Sequence, residues 1–409
     1  MNKPVLVIGG GISGITCAVE IAETGHEVIL VEKLPYLGGR VSQLNRYFPK
    51  LCPPWCGLEI NFGRIKNNSR IKIYTSAAVK NISGSKGDFT VTLEKKPGYV
   101  NDNCTVCGEC EKVCPAERPD GFNYGMKKTK AIYLPHEMAF PYKYTIDSEY
   151  CKKENCNKCV EVCKYNAINP DMQPEDITVN AHSVIYATGW QPYDAGKIDN
   201  LAPGTHPDII TNVMMERLMA PGGSTEGKLL CPSDSRIPKT VAFIQCAGSR
   251  DENHLPWCSG VCCPATLKQA LTIRELYPDI KIKIFYIDLR VTGRNEDMLK
   301  KVEQDPGTEL VKGKSAGIEK DTENKGLIIK TEDILSGNIR NDHADLVVLA
   351  TGIMPSETGN SKIKYDDHEY INTDLPEEGI LVAGCAKRPM DVSASLKDAT
   401  GAALKAIQK

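Results

Sequence analysis

The residues best suited to chemistry in this 409-residue chain are its 17 cysteines, most of which fall into three groups of four. Cys104, Cys107, Cys110 and Cys114 stand as C-x2-C-x2-C-x3-C, followed by Pro115. That is the spacing of thiolates that ligate a [4Fe–4S] cluster, with the fourth thiolate serving the cluster of a neighbouring run. Cys151, Cys156, Cys159 and Cys163 repeat it with one wider gap, C-x4-C-x2-C-x3-C. The third group, Cys246, Cys258, Cys262 and Cys263, is spaced C-x11-C-x3-C-C. Adjacent side chains diverge, so spacing alone leaves two readings of this group open, a third cluster or a set of buried or redox-active thiols. Metal-type spacing, and an opening Met1–Pro4 that runs into an apolar strand without a leader, predict reduced thiols in the cytoplasm rather than disulfides.

A second chemical feature opens the chain. Val5–Ile8 reads as a buried strand and is followed at once by Gly9-Gly10-Gly11-Ile12-Ser13-Gly14, then by a helix from Ile15 to about Thr24. Gly25 stops that helix, a second strand covers Glu27 to Val31, and Glu32 ends it. In such a unit Gly9 allows the tight turn, Gly11 lets backbone approach a pyrophosphate, and Gly14 lets helix and strand pack closely. The helix N-terminus presents free N–H groups to the phosphates, and Glu32 is placed to accept from ribose hydroxyls.

These sites need elements to hold them, and the length allows two or three domains. The sequence predicts a first stretch of nucleotide domain over 1–98, a Cys-, Lys- and Asn-rich insert over 99–175, and a return with connector over 176–237. A second α/β unit over 238–340 and a last stretch of the first domain over 341–409 complete it. A strand is expected near Ile177 to Ala187, and a polar connector from Pro203-Gly204 through Pro221 to Pro232. The second unit is expected to begin with strands Thr240–Ile244 and Ile280–Ile287 around a helix from Pro264 to Leu276. Composition is that of a soluble globular protein, 41% hydrophobic and 25% charged. A formal net charge of -2 predicts no general attraction to nucleic acid or to an anionic membrane. No run approaches the 18 apolar residues that a spanning helix needs.

Several segments resemble two-dinucleotide-binding-domain flavoproteins of the thioredoxin-reductase type. Gly38-Gly39-Arg40 is similar to their second FAD signature. Val184–Gly189 and Val347–Gly352, each ending Ala-Thr-Gly, are similar to the strand-plus-turn crossings between their domains. Gly379–Cys385 is similar to the closing FAD motif, with Cys385 where that motif carries Asp. The resemblance implies an α/β fold with an inserted two-cluster ferredoxin domain and FAD at the N-terminal site. It implies contacts from Gly9, Gly11, Gly14, Glu32, Gly38, Gly39, Arg40, Thr188, Gly189, Thr351, Gly352 and Gly384, with Asp391 serving the ribityl chain or phosphate. In those enzymes the second unit opens with its own glycine fingerprint for NAD(P)H. Here Gln245-Cys246-Ala247-Gly248-Ser249-Arg250 stands instead, so nicotinamide binding is not expected.

The whole chain resembles the flavin subunit of heterodisulfide reductases, the HdrA-like family. That resemblance implies that Cys246, Cys258, Cys262 and Cys263 ligate a non-standard [4Fe–4S] cluster, so that three clusters accompany FAD. Leu37–Val41 and Tyr47–Asn61 are similar to the QmoA branch, from the quinone-interacting membrane-bound oxidoreductase of sulfate reducers. This branch implies a cytoplasmic subunit held at the inner membrane by QmoB-like and QmoC-like partners, moving electrons between menaquinone and adenylylsulfate reductase. Two alternatives stand beside it: an HdrA-type subunit that splits or merges electron pairs at the flavin, and an NAD(P)H-dependent disulfide reductase using Cys52 and Cys56.

The remaining signals have simpler expected roles. Cys52 and Cys56, in C-P-P-W-C, are candidate redox thiols beside the flavin or two thiols of a proline-stiffened loop. Cys17 is expected in the core, and Cys231 and Cys385 are expected to be structural. His182 and His254 are not expected to be ligands. Lys127, Lys128, Lys130, Lys152, Lys153 and Lys158 form a solvated face that also suits an acidic partner.

Overall fold

Val5–Ile8, Val28–Val31 and Ser183–Tyr186 are short aliphatic runs with both faces covered, as central parallel strands must be. In the computed structural model, which describes residues 3–152, 156–201, 204–323, 325–358, 363–372 and 378–408, they are neighbours in one sheet. The chain divides into two compact units. The first comprises 1–42, 55–190 and 355–409, and the second comprises 43–54 with 191–354.

The first unit has a five-stranded parallel sheet in the order Ile380–Val382, Ser183–Tyr186, Val5–Ile8, Val28–Val31, Ile71–Tyr74. A three-stranded antiparallel sheet of Ala77–Ser85, Asp88–Lys95 and Glu175–Ala181 adjoins it. Leu6, Val31, Phe89, Val91, Leu93, Val184, Tyr186 and Val382 fill the core between these elements. The helix Ile12–Glu23 packs on Val392–Ala406, where Cys17 Sγ donates to the Ala399 carbonyl at 3.3 Å. The strand expected over 177–187 is in fact two, Glu175–Ala181 and Ser183–Tyr186, in different sheets and broken at His182. The two strands adjoin in sequence with one residue between them, and periodicity cannot mark a strand that changes sheets.

Within the same unit the cysteine-rich stretch folds around Tyr99, Val100, Ile132, Tyr144, Ile146 and Ile168. Its two ends meet at a Val100–Ile168 bridge. Two single-turn helices, Glu109–Val113 and Lys158–Val162, lie against each other, each carrying one cysteine of its run. The hairpin Glu117–Pro119/Lys128–Lys130 carries Lys128 and Lys130, and Lys130 pairs with Glu117 at 3.1 Å. Lys153 lies outside the described residues.

The second unit is also doubly wound, with parallel strands in the order Ile209–Thr211, Leu346–Thr351, Thr240–Ala247, Lys281–Tyr286, Thr308–Lys312. A three-stranded antiparallel sheet, Ser315–Lys320, Leu327–Asp333 and Asn338–Ala344, lies within it. Two expectations change here. The polar connector contains the edge strand Ile209–Thr211 and the helix Asn212–Leu218, capped by Thr211 accepting from Met214 N–H. The buried Ile209, Ile210, Val213, Met215 and Leu218 supply its apolar pattern, which the flanking Pro and Gly residues obscured. The helix expected from Pro264 begins at Cys262 instead. Proline is tolerated in a first turn, where its missing N–H would have had no intrahelical partner.

Candidate functional site

The first unit builds a glycine cradle at the C-terminal ends of its central strands. Gly9 adopts φ +108°, and an added Cβ there would stand 2.3 Å from the Ala187 carbonyl oxygen. A Cβ on Gly14 would stand 1.8 Å from the Gly9 oxygen, so only glycine lets the helix start so close to the strand. Gly38 N–H donates to Gly10 O at 2.8 Å, and Gly39 approaches Gly11 closely enough that a Cβ would lie 2.8 Å from its Cα. The second signature thus rests directly on the first. Glu32 is buried and accepts from Gly10 N–H and Leu34 N–H, both at 2.7 Å. Burial pushes its carboxyl up, and those two N–H groups pull it back.

Thr188 and Gly189 follow the strand whose Ala187 touches Gly9, and Thr188 Oγ1 is buried without a protein partner among the described residues. An orphaned hydroxyl beside a loop too tight for any side chain fits a bound nucleotide. Arg40 donates to the Trp190 carbonyl and to Tyr124 Oη, with its guanidinium 5.7 Å and 5.8 Å from those residues' ring centres. Gly384 N–H donates to Asp398, and Asp391 caps Val392–Ala406 by accepting from Ala394 N–H at 2.7 Å. Asp398 supplies the nearby carboxylate that Cys385 cannot, and its register on the last helix hid it from motif comparison.

Thr351 and Gly352 close the strand Leu346–Thr351 and its turn. They belong to the second unit, where Thr351 Oγ1 donates to Asn212 and its carbonyl accepts from Cys262 Sγ. The Ala-Thr-Gly repeat is a shared strand ending, and in the second unit it borders Cys262.

In the insert, Cys104, Cys107 and Cys110 line one cavity together with Cys163 of the other run, Tyr144 and Tyr165. Cys114 lies instead within electrostatic reach of Cys159, alongside Cys151 and Cys156. Cys163 thus lies with the first run and Cys114 near the second, an arrangement that would suit an exchange of fourth thiols between paired clusters. Ala167 N–H donates to Cys163 Sγ at 3.4 Å, and burial beside Cys104 and Cys107 pushes the Cys110 thiol up to about 12. Among the described residues no three His, Cys, Asp or Glu side chains converge on a single-ion site. A cubane takes one thiolate per iron, so its ligands need to line one shared space rather than converge on a point.

The third group gathers in the second unit. Cys246 is the penultimate residue of the strand Thr240–Ala247 and adopts φ +56°, and Cys262 and Cys263 open the next helix. All four thiols are electrostatically coupled: burial and then Cys263, Cys246 and Cys258 push Cys262 up. Burial, opposed by a backbone N–H from Arg290, pushes Cys263 up to about 11. Gly260 N–H donates to Cys258 Sγ at 3.4 Å. This is the first βα turn of a doubly wound sheet, where a dinucleotide's pyrophosphate would sit in an NAD(P)H enzyme. Four thiols occupy the place of the glycine loop, a donor set that would suit an iron–sulfur cluster.

Cys52 and Cys56 are both exposed, Cys52 in the second unit and Cys56 in the helix Trp55–Lys66 of the first. Cys17, Cys231 and Cys385 are buried. His254 Nδ1 lies 2.8 Å from Tyr193 Oη, and burial holds the His182 imidazole below its ordinary range. Sequence reasoning missed Arg250, Asp288 and Arg290, which flank the third thiol group. Their signal was positional, since Asp288 falls just beyond the second strand, where a nucleotide-binding unit carries its ribose acid.

The sheets and the cradle define the two-dinucleotide-binding-domain fold of flavin-dependent oxidoreductases. A family model described as FAD dependent oxidoreductase matches residues 4–95. Thioredoxin reductases of T. acidophilum and Lactococcus lactis share the fold, with TM-scores of 0.55 and 0.54 at 14% and 12% identity. The matches cover 99% of this chain in each case, and 97% and 98% of those chains.

Closer in sequence, the chain is similar to the A subunits of heterodisulfide reductases. It is 36% identical over 423 residues to the HdrA-type member of the H(2):CoB-CoM heterodisulfide,ferredoxin reductase of Methanothermobacter thermautotrophicus. It is 37% identical to a CoB--CoM heterodisulfide reductase iron-sulfur subunit of Methanocaldococcus jannaschii, and 39% identical to one of Methanopyrus kandleri. These alignments cover 98% or 99% of this chain and 63% or 64% of the relatives, so the chain spans under two thirds of their length. The relatives bear the heterodisulfide-reductase alternative better than the quinone-linked branch. Among the described residues no helix is long and apolar enough to cross a membrane.

Proposed function

We propose that this chain is the flavin and iron–sulfur electron-transfer subunit of a heterodisulfide-reductase-type complex, splitting or merging electron pairs between its partners. The observation that carries this is the placing of Cys163 with the first run and Cys114 near the second, beside a glycine cradle for FAD. FAD exchanges electrons in pairs or singly and [4Fe–4S] clusters exchange them singly, so the bound groups would supply the conversion between the two regimes.

The chain's own residues hold and shield these groups. Gly9, Gly11 and Gly14 bring backbone N–H groups to the pyrophosphate, Glu32 has lone pairs left for ribose hydroxyls, and Thr188 offers a hydroxyl without a protein partner. Cys104, Cys107, Cys110 and Cys163 would hold one cluster, and Cys151, Cys156, Cys159 and Cys114 a second. Cys246, Cys258, Cys262 and Cys263 would hold a third, with the Gly260 N–H donating to the Cys258 sulfur.

In the test, the anaerobically loaded protein is mixed separately with reduced methyl viologen and with NADH. Rapid flavin bleaching by the viologen alone is the expected result. Rapid bleaching by NADH would instead favour a disulfide reductase using Cys52 and Cys56.

A second reading, the quinone-linked subunit with QmoB-like and QmoC-like partners and adenylylsulfate reductase as acceptor, rests on the similarity of Tyr47–Asn61. Its mark would be co-purification with a membrane subunit from the native source, held at the inner membrane's cytoplasmic face.

A further inference from the structure

Lysine and glutamate are rarely buried unless paired, and the second unit holds such a pair: Lys268 is 3% exposed and Glu216 4%. Lys268 Nζ lies 2.6 Å from Glu216 Oε1. Lys268 stands on the helix Cys262–Leu276 and Glu216 on the helix Asn212–Leu218. Taking two charges out of water costs about what their attraction returns, so stability alone does not account for the pair. Its other bonds reach backbone. Lys268 Nζ donates to the Arg46 carbonyl at 2.9 Å, and Glu216 Oε2 accepts from the Asn45 N–H at 2.9 Å. Gln269, next to Lys268, also donates to Glu216. Each charge thus directs one bond to the main chain of a segment distant in sequence.

That segment is a strap, 43–54, which belongs to the second unit although the residues before and after it belong to the first. Arg46 pairs with Glu275 of the same helix at 2.8 Å, and Phe48 and Leu51 pack against the core containing Leu218, Leu267 and Ile273. The Tyr47 N–H donates to the Cys52 carbonyl at 2.7 Å, closing the strap into a loop. It continues directly from the short 3-10 helix Gly39–Gln43, in which Ser42 Oγ donates to the Gly39 carbonyl at 2.7 Å. Gly38 and Gly39 rest in turn on Gly10 and Gly11 of the glycine loop. Only Arg40 to Leu44 separate Gly39 from the clamped Asn45.

We propose that Lys268 and Glu216 are positioning residues for FAD: by clamping the strap they keep the turn at Gly38–Ser42 seated on the glycine loop. They act through the main chain of Asn45 and Arg46 rather than on the nucleotide. A ligand binds more weakly by the fraction of time its site is competent, so a strap released about nine-tenths of the time weakens FAD about tenfold. This rests on the reading that the glycine loop binds FAD, which the wild-type protein tests by itself.

The test uses the full chain, anaerobically loaded, as wild type, Lys268→Met and the double variant Lys268→Met/Glu216→Gln. The double variant leaves no buried charge without a partner, and so covers the case in which the single variant does not fold. The readouts are amide hydrogen exchange over residues 44–52, FAD affinity by fluorescence titration after flavin removal, and iron content as the control. Both variants are expected to exchange at Asn45 and its neighbours at least roughly tenfold faster and to bind FAD at least roughly tenfold more weakly, with iron unchanged. Faster exchange with wild-type FAD affinity would overturn the assignment, because the strap would then not hold the flavin's seat. Weaker FAD binding without faster exchange would overturn it by removing the strap from the route. Wild-type values of both, or loss of iron from the double variant, would overturn it by leaving the pair a part of its own unit's folding alone. A wild-type chain that takes up no FAD would instead overturn the reading beneath, which separates the two failures.

Discussion

Replacing Gly14 with alanine tests the cradle at its tightest point. The new Cβ would stand 1.8 Å from the Gly9 carbonyl oxygen and 3.0 Å from its carbon, both backbone atoms held by the central strand. An ordinary carbon–oxygen contact is about 3.3 Å or more, so helix and loop must part by about 1.5 Å. Such overpacking costs roughly 1–3 kcal/mol. The displacement falls on the N–H groups meant for the pyrophosphate, so the cost appears in nucleotide affinity, roughly five- to hundredfold weaker. Gly63→Ala is the control: it lies in the helix Trp55–Lys66 with nothing within 4 Å of the added methyl. That change should stabilise the protein by roughly 0.5–1 kcal/mol and leave FAD binding unaltered. Flavin fluorescence titration of reconstituted protein measures both. Wild-type affinity in Gly14→Ala would refute the placement of the pyrophosphate.

Cys163→Ser should remove the cluster of the first run, because Cys163 lines the cavity with Cys104, Cys107 and Cys110. The second run's signal should survive in EPR, and loss of the second run's signal instead would contradict the exchange. Asp345 accepts from Lys239 N–H at 2.7 Å, from Thr240 N–H at 2.9 Å and from Arg236, so Asp345→Ala leaves two backbone donors unpaired. Calorimetry should record roughly 2–4 kcal/mol of destabilisation. Burial raises the Asp345 carboxyl, but those donors hold it lowered overall. Its contribution is therefore present above the unfolded value of 3.8 and lost as pH falls through the lower folded value. An acid-unfolding midpoint unchanged in Asp345→Asn would sink that account.

Motifs whose chemistry depends on local spacing were readable in the sequence. The glycine loop, the βαβ unit and the two cysteine runs each need residues near one another in the chain, and their order alone predicts how they meet. Features that depend on distant residues were not. Ser183–Tyr186 leaves the sheet of the strand before it, and Ile209–Thr211 joins a sheet from inside a Pro- and Gly-rich stretch. The Ala-Thr-Gly endings at 187–189 and 350–352 look alike in sequence, yet one borders Gly9 and the other Cys262. Arg250, Asp288 and Arg290 carry no motif, and only the strand ends bring them to Cys246 and Cys263.

The most direct measurement is iron, acid-labile sulfide and FAD per chain on anaerobically purified protein. The account predicts about twelve irons for each FAD, four for each thiolate group. About eight, with Cys246, Cys258, Cys262 and Cys263 open to thiol reagents, would contradict it and leave those residues as unmetallated thiols.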